Sequence, residues 1–222
     1  MRKFFYFIAL LFAISANWNI SLAASSKVIR GVNDDGGIYT YDPDAGMVTT
    51  ASQFSANSIE QGDGGGLAAL IDGTTQWFHS GYNTSSGSTL PDADHYLQVD
   101  ISNSPTQQII FVFTGRAGSN HDTWDDVDIY CTNDSSVHDS WKLVKSMTNM
   151  VDGDESGVHY VSPMIDLGAA YKYVRFVVRK TTSLRQETTY NRYFWNLDEF
   201  QMYKAIKVED PQTLLKTVLD SI

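Results

Sequence analysis

The sequence predicts an all-β, antiparallel sandwich, and three observations predict it. Apolar residues alternate with polar ones over short runs, as Leu97, Val99 and Ile101 do against Gln98 and Asp100. Loops rich in Gly, Asp, Ser and Asn separate these runs. No long helical periodicity interrupts them before the C-terminal tail.

Taken in order, the chain opens with Arg2 and Lys3, an uncharged apolar run from Phe4 to Ile14, and small residues at Ser21-Leu22-Ala23. This is the pattern of a signal peptide over residues 1–23, cut after Ala23. The apolar run falls short of the roughly 20 residues a membrane span needs. The mature protein is therefore expected to be secreted, periplasmic or on the cell surface, with no membrane insertion. Residues 24–48 form a leading segment with short strands, including the Gly31 to Tyr41 stretch, suited to packing on the sandwich. The sandwich itself is expected over 49–204. Within it, the glycine loop at 62–66 and a short helical turn from Leu67 to Ile71 lead into an Asp72-Gly73 turn. Ile109 to Phe113 is apolar at every position, as in a central strand covered on both faces. Val127, Ile129 and Cys131 share one face, Trp141 to Val144 follow a polar turn, and Val174, Phe176 and Val178 share another face. Glu199, Gln201 and Tyr203 then alternate with Phe200 and Met202. The stretch 205–222 differs: Asp210 and Pro211 suit a helix start, and Leu214, Leu215, Val218, Leu219 and Ile222 recur at helical spacing. A short C-terminal helix is expected there, either docking on the sandwich or opening a further domain.

Composition narrows the function class. The formal charge of −10 becomes −12 once Arg2 and Lys3 are removed, and no Lys/Arg cluster offsets it, which argues against nucleic acid as a partner. With 42% hydrophobic and 13% aromatic residues the chain can bury a core. One cysteine, Cys131, excludes an intrachain disulfide and reads as a small buried hydrophobe. The five histidines are dispersed without metal-ligand spacing, and no nucleophile elbow or phosphate-binding glycine loop occurs. Asp125 and Asp126 are adjacent, so on a strand they would point to opposite faces. They read as a solvated acidic turn rather than a catalytic pair. Binding, not catalysis, is expected.

Four stretches taken together carry a family resemblance. They are Ala68 to Gly73 with Trp77-Phe78-His79-Ser80; His95 to Ile101; Val127 to Tyr130 with Asn133-Asp134 and Trp141; and Tyr173 to Phe176 followed by Leu197 to Tyr203. Their order and spacing resemble the coagulation factor V/VIII type C (discoidin) domain, nearest to bacterial carbohydrate-binding modules of family 32. The resemblance implies a galactose-binding-like jelly roll, a structural calcium near the Asp-Gly loop, and a glycan bound by loops at one end. Asp72 and Glu199 match the carboxylate ligands, with Ala69 and Thr74 as carbonyl donors. Thr74 departs from the acid or Asn frequent at that position, and Asp72 as a simple turn cap is the alternative. Arg116 and Asn120 match by spacing the residues that contact sugar hydroxyls, with His121 or Trp124 as a wall. Tyr193 or Trp195 match the stacking aromatic, and His79 and Tyr82 add a third wall unless His79 is a buried hydrogen-bonding residue. Arg116 paired to Asp122 or Asp125 is the alternative to a sugar contact. A glycan or polysaccharide is the expected partner, bound without catalysis. The competing expectation is an adhesive domain that supports a neighbouring domain or protein and has no sugar site.

Overall fold

The computed structural model describes residues 29–32, 37–118, 121–152 and 156–208. The signal-peptide segment, Asn120 and the helical periodicity from Asp210 onward lie outside the described residues. Among the described residues, thirteen strands run in chain order. They are β1 (Ile29–Val32), β2 (Ile38–Tyr41), β3 (Phe54–Ala56), β4 (Phe78–His79), β5 (Tyr96–Asp100), β6 (Thr106–Gly115) and β7 (Trp124–Thr132). They continue as β8 (Lys142–Met147), β9 (His159–Val161), β10 (Ile165–Tyr171), β11 (Tyr173–Thr181), β12 (Asn196–Lys204) and β13 (Ile206–Val208). The opening of the 205–222 stretch is thus a strand, β13, and not helix.

Two five-stranded antiparallel sheets make the sandwich. One has the order β3-β5-β11-β7-β8; the other has β10-β6-β12-β4, with β9 also paired to β6. The alternation seen in the sequence sets their inner faces. Leu97 and Val99 of β5, Val174, Phe176 and Val178 of β11, and Val127, Ile129 and Cys131 of β7 are buried against Ile109, Phe111 and Phe113 of β6 and Phe200 and Met202 of β12. Cys131 is fully buried, and burial pushes its thiol up to about 12, so it is a packing residue and not a nucleophile.

The continuous apolar run of β6 has a specific cause. Its odd-numbered residues face the sandwich core, while Ile110 faces a third, three-stranded sheet of order β1-β2-β13. There Ile110 is buried with Tyr39, Tyr41 and Ala205, and Tyr41 packs 5.1 Å from Tyr203. The leading segment is therefore a cover for the outer face of β6. Met47 N–H donates to Met202 O at 2.7 Å, which joins this cover to β12.

Two expectations need correction here. Trp124 and Trp195 have no exposed surface: Trp124 lies 5.1 Å from Trp195 and 5.6 Å from Phe113, Phe176 and Phe200. Neither ring can stack on a ligand, because the core occupies their faces. Asp125 is not in a solvated turn either; it is buried on β7 and takes an ion pair from Lys180 Nζ at 2.6 Å.

Candidate ligand-binding site

Four loops meet at one end of the sandwich, and hydrogen bonds fix each. Ser80 N–H donates to Trp195 O and Trp195 N–H to Ser80 Oγ, at 2.9 and 2.8 Å, which ties the loop after β4 to the start of β12. The 186–193 loop closes on the buried carboxylate of Glu187, which accepts the backbone N–H groups of Tyr190 at 2.8 Å and Arg192 at 3.1 Å. Gly115 ends β6 where any Cβ would lie 2.5 Å from Thr123 Oγ1, so the next loop starts pressed against β7. Ala117 N–H then donates to Asp198 Oδ2, and Gly157 N–H to Arg116 O.

These anchors fix Arg116. Its guanidinium carbon lies 3.7 Å from the centroid of the Trp77 ring, and Nη1 is 3.9 Å from Asp63 Oδ2. Asp63 Oδ1 in turn accepts Trp77 Nε1–H at 3.1 Å. Arg116 pairs with neither Asp122 nor Asp125. Asp122 is fully buried and belongs to Arg185, whose Nε donates to Oδ1 at 2.8 Å and whose Nη2 donates to Oδ2. Asn196 Nδ2 and Ser183 Oγ complete the donors to that carboxylate.

Beside this arginine stands a cluster of three rings. His79, Tyr82 and Phe194 have centroids 4.8 to 5.7 Å apart, and Arg185 lies 5.4 Å from the Phe194 centroid. His79 Nδ1 donates to the Ser80 carbonyl at 2.7 Å, because a carbonyl can only accept. Burial lowers the His79 pKa against the opposing pull of Asp63 and Asp122, so the ring is neutral near pH 7 and Nε2 is its acceptor. The charges of Asp63 and Arg116 act on both His79 and Tyr82, which places the triad and the ring cluster in one field. His121 donates from Nδ1 to Gly118 O at 2.8 Å, within the Arg116 loop.

Of the sugar-site residues expected from sequence, Arg116, His121 and Tyr82 lie on loops at this end, whereas His79 closes β4 as a buried residue bonded to the Ser80 carbonyl, the alternative left open by the sequence. Tyr193 is half-buried and bridged to Gln186, on the side of Lys180. Sequence reasoning did not assign Trp77 or Asp63, and it placed Arg185 and Phe194 in the cluster before the last core strand while choosing Tyr193 or Trp195 as the stacking aromatic. The signal for Phe194 was present: it precedes Trp195, and residues adjacent on an extended chain face opposite ways.

The expected calcium loop sits on the flank of β12. Strand β12 pairs Leu197 with Gly115 but Glu199 with Thr114, so Asp198 is an extra residue in a β-bulge. The bulge lets Leu197 and Phe200, three apart, both reach the core, and it turns Asp198 and Glu199 away from it. Asp72 is exposed and accepts Thr74 N–H at 2.8 Å, an Asx turn, while Gly73 adopts φ +69° behind it. The backbone N–H groups of Gly73 and Thr74 lie close enough to Glu199 to pull its pKa down, yet its Oε1 is buried with no partner, and so is Asp198 Oδ1. Desolvation raises both pKa values above the ordinary range, with Asp72 adding to each. Orphaned oxygens on the adjacent carboxylates of Asp198 and Glu199, with the Asp72 charge acting on both, are donor chemistry of the kind a hard divalent cation such as calcium takes. Among the described residues no three acidic, His or Cys side chains form a metal cluster on their own, so backbone carbonyls would have to complete the shell.

No family model and no curated protein matches the chain. Solved structures similar to it include family 32 modules from Clostridium perfringens. One is CpGH89CBM32-5 in complex with GalNAc-β-1,3-galactose (15% identity, TM-score 0.48, covering 69% of this chain and 96% of that one). Another is CBM32-3 from a family 31 glycoside hydrolase (15%, 0.49, 70% and 94%). A third is the family 32 module of NanJ in complex with galactose (18%, 0.43, 69% and 96%).

Proposed function

We propose that the protein is an exported, non-catalytic glycan-binding module whose loop cluster holds a sugar residue. The observation that carries this reading is the fixed guanidinium of Arg116, held between Trp77 and Asp63 beside a neutral His79 and the half-buried Tyr82. Sugar recognition needs planar donors and acceptors for neighbouring hydroxyls and an aromatic face for the pyranose C–H surface. Arg116 supplies the fork, His79 the acceptor, and Trp77 or Tyr82 the face. Asp122 keeps Arg185 in place over Phe194 and spares Arg116 for the ligand.

Calcium is part of the same proposal. Asp72, Glu199 and Asp198 would hold it, with carbonyls of Ala69 and Thr74 completing the shell, and its charge would fix the 72–74 turn against β12. The ion would be structural, since the carboxylates serve the scaffold and not the sugar.

A single module of this kind binds weakly, in a range of about −4 to −8 kcal/mol, so clustered glycans raise its apparent affinity. The test is a glycan array followed by calorimetry on the best ligand. Arg116→Ala and Tyr82→Ala should each weaken binding about tenfold or more while the melting temperature moves by only a few degrees. Wild-type affinity in both variants would refute the site.

A further inference from the structure

A hollow among the described residues lies away from the loop cluster. It lies on the outer face of the β3-β5-β11-β7-β8 sheet, has a volume of about 740 Å³, and is lined by residues that include Tyr96, Trp141, Arg175, Arg179, Arg192 and His138. A second hollow of about 380 Å³ continues it, sharing His138, Trp141, Arg175 and Val177 and adding Tyr130 and Asp139, whose exposed carboxylate contacts His138 Nδ1 and not Arg175. Volumes of this order suit a bound small molecule or a short oligomer.

The sheet register explains how these side chains meet. Arg175 on β11 stands in line with Gln98 on β5 and Tyr130 on β7, and Val177 stands beside Tyr96. Alternation sends Val174, Phe176 and Val178 into the core, so Arg175 and Val177 face outward. Trp141, after the 3-10 turn His138–Ser140, folds over this row. The Arg175 guanidinium is sandwiched 4.1 Å from the Tyr96 centroid and 3.9 Å from the Trp141 centroid.

Its charge is the unusual feature. Arg175 Nη2 donates to the neutral Gln98 Oε1 at 2.9 Å, Nε is buried with no partner, and among the described residues no carboxylate pairs with it. Arg179 and Arg192 line the same hollow and have counter-ions: both reach Asp94, Arg179 also pairs with Asp128 at 2.7 Å, and Arg192 lies 3.7 Å from Asp92. A protein of formal charge −10 thus keeps three guanidiniums, one without a counter-ion, in one groove walled by aromatic rings. A half-buried cation between aromatic faces is poorly solvated, and an incoming anion would replace the missing partner.

We propose that this groove is a second binding site, for an anionic saccharide bearing a carboxylate or sulfate group. The anion would take the free edge of Arg175, Arg192 would add charge at the rim, and Trp141 and Tyr96 would border the sugar ring. The groove is lined by none of the loop-cluster residues Arg116, His79 and Tyr82, so the proposal does not rest on the loop site.

The full chain would be titrated with trigalacturonate, a sulfated galactotriose, neutral galactotriose, and a glutamate oligomer of equal charge, reading the Trp141 indole N–H by NMR. One or both anionic sugars should shift that signal, and added salt should weaken the effect. The neutral sugar and the peptide should leave it in place. Arg175→Gln should weaken groove binding about tenfold or more, and Arg116→Ala should not change it. Because Arg175 joins two rings, Arg192→Gln serves as a second variant at the rim; it should weaken binding about threefold or more if Arg175→Gln fails to fold. No shift with either anionic sugar, an equal shift with the neutral sugar or the peptide, or full affinity in the variant that folds would overturn the proposal. Loss of loop binding in Arg116→Ala with groove shifts intact, or the reverse, separates failure of one site from failure of the other.

Discussion

His95 has no exposed surface, its Nδ1 lies 3.1 Å from Ser58 Oγ, and its Nε2 is buried with no hydrogen-bond partner. Burial lowers its pKa from 6.5 to about 4, against the opposing charges of Glu187 and Asp94. The unfolded chain takes up a proton near 6.5 and the folded chain only near 4, so the stability held by the neutral ring is complete above 6.5 and lost as pH falls toward 4. Each pKa unit is about 1.4 kcal/mol, so the loss is on the order of 3 kcal/mol. Urea unfolding across this window should show that decline, and His95→Gln should flatten it; an unchanged slope would refute the assignment. At this scale the sequence was informative for polar groups. Arg116, His79 and Tyr82 were singled out by residue type and position, and the charge of Arg116 acts on both His79 and Tyr82 in the structure. What residue type did not show is which carboxylate each cation takes. Arg116 lies against Asp63, more than fifty residues upstream in the chain, while Asp122, close to it in sequence, belongs to Arg185.

The strands were legible wherever their period held, and misread where it broke. Inward positions on β7 are Val127, Ile129 and Cys131, so Trp124 has the parity of an outward residue, as expected of a ligand wall. The pairing of β7 with β11 shifts between Asp126 and Trp124, and that irregularity returns Trp124 to the core. On β12 the extra residue Asp198 changes the parity between Leu197 and Phe200 in the same way. One residue of register inverts every side chain beyond it, and nothing local in the sequence marks the position. Trp195 shows the consequence. It packs 4.7 Å from Phe78 and 5.1 Å from Trp124 just before the start of β12. Trp195→Ala should therefore cost about 3–5 kcal/mol of stability and reduce glycan binding only through loss of fold. A variant with wild-type melting temperature and no binding would instead return Trp195 to the ligand site.

For the molecule as a whole, the long-range pairings were the least legible part. The Gly31 to Tyr41 stretch read as short strands, but its union with Ile206–Val208 into a sheet covering Ile110 joins segments from opposite ends of the described chain. The proposed ion has the same global character, because the 72–74 turn and the Asp198–Glu199 bulge meet only in the folded state. Without a cation, Asp198 and Glu199 have pKa values raised above 3.8 and 4.5, so their contribution to stability is present below those values and lost as pH rises through the folded-state pKa. In chelator, the melting temperature should therefore fall across that interval, and substituting Asn for Asp198 and Gln for Glu199 together should remove the fall. Calcium should act in the opposite sense, since it binds the ionised carboxylates and its effect grows as they lose their protons. At a hundredfold excess over Kd the gain is about 2.7 kcal/mol, or roughly 5–10 °C in a domain of this size. Scanning calorimetry near pH 7 with calcium, with magnesium and with chelator measures it directly. Equal melting temperatures in all three would mean that Glu199 holds the 72–74 turn through its N–H contacts alone.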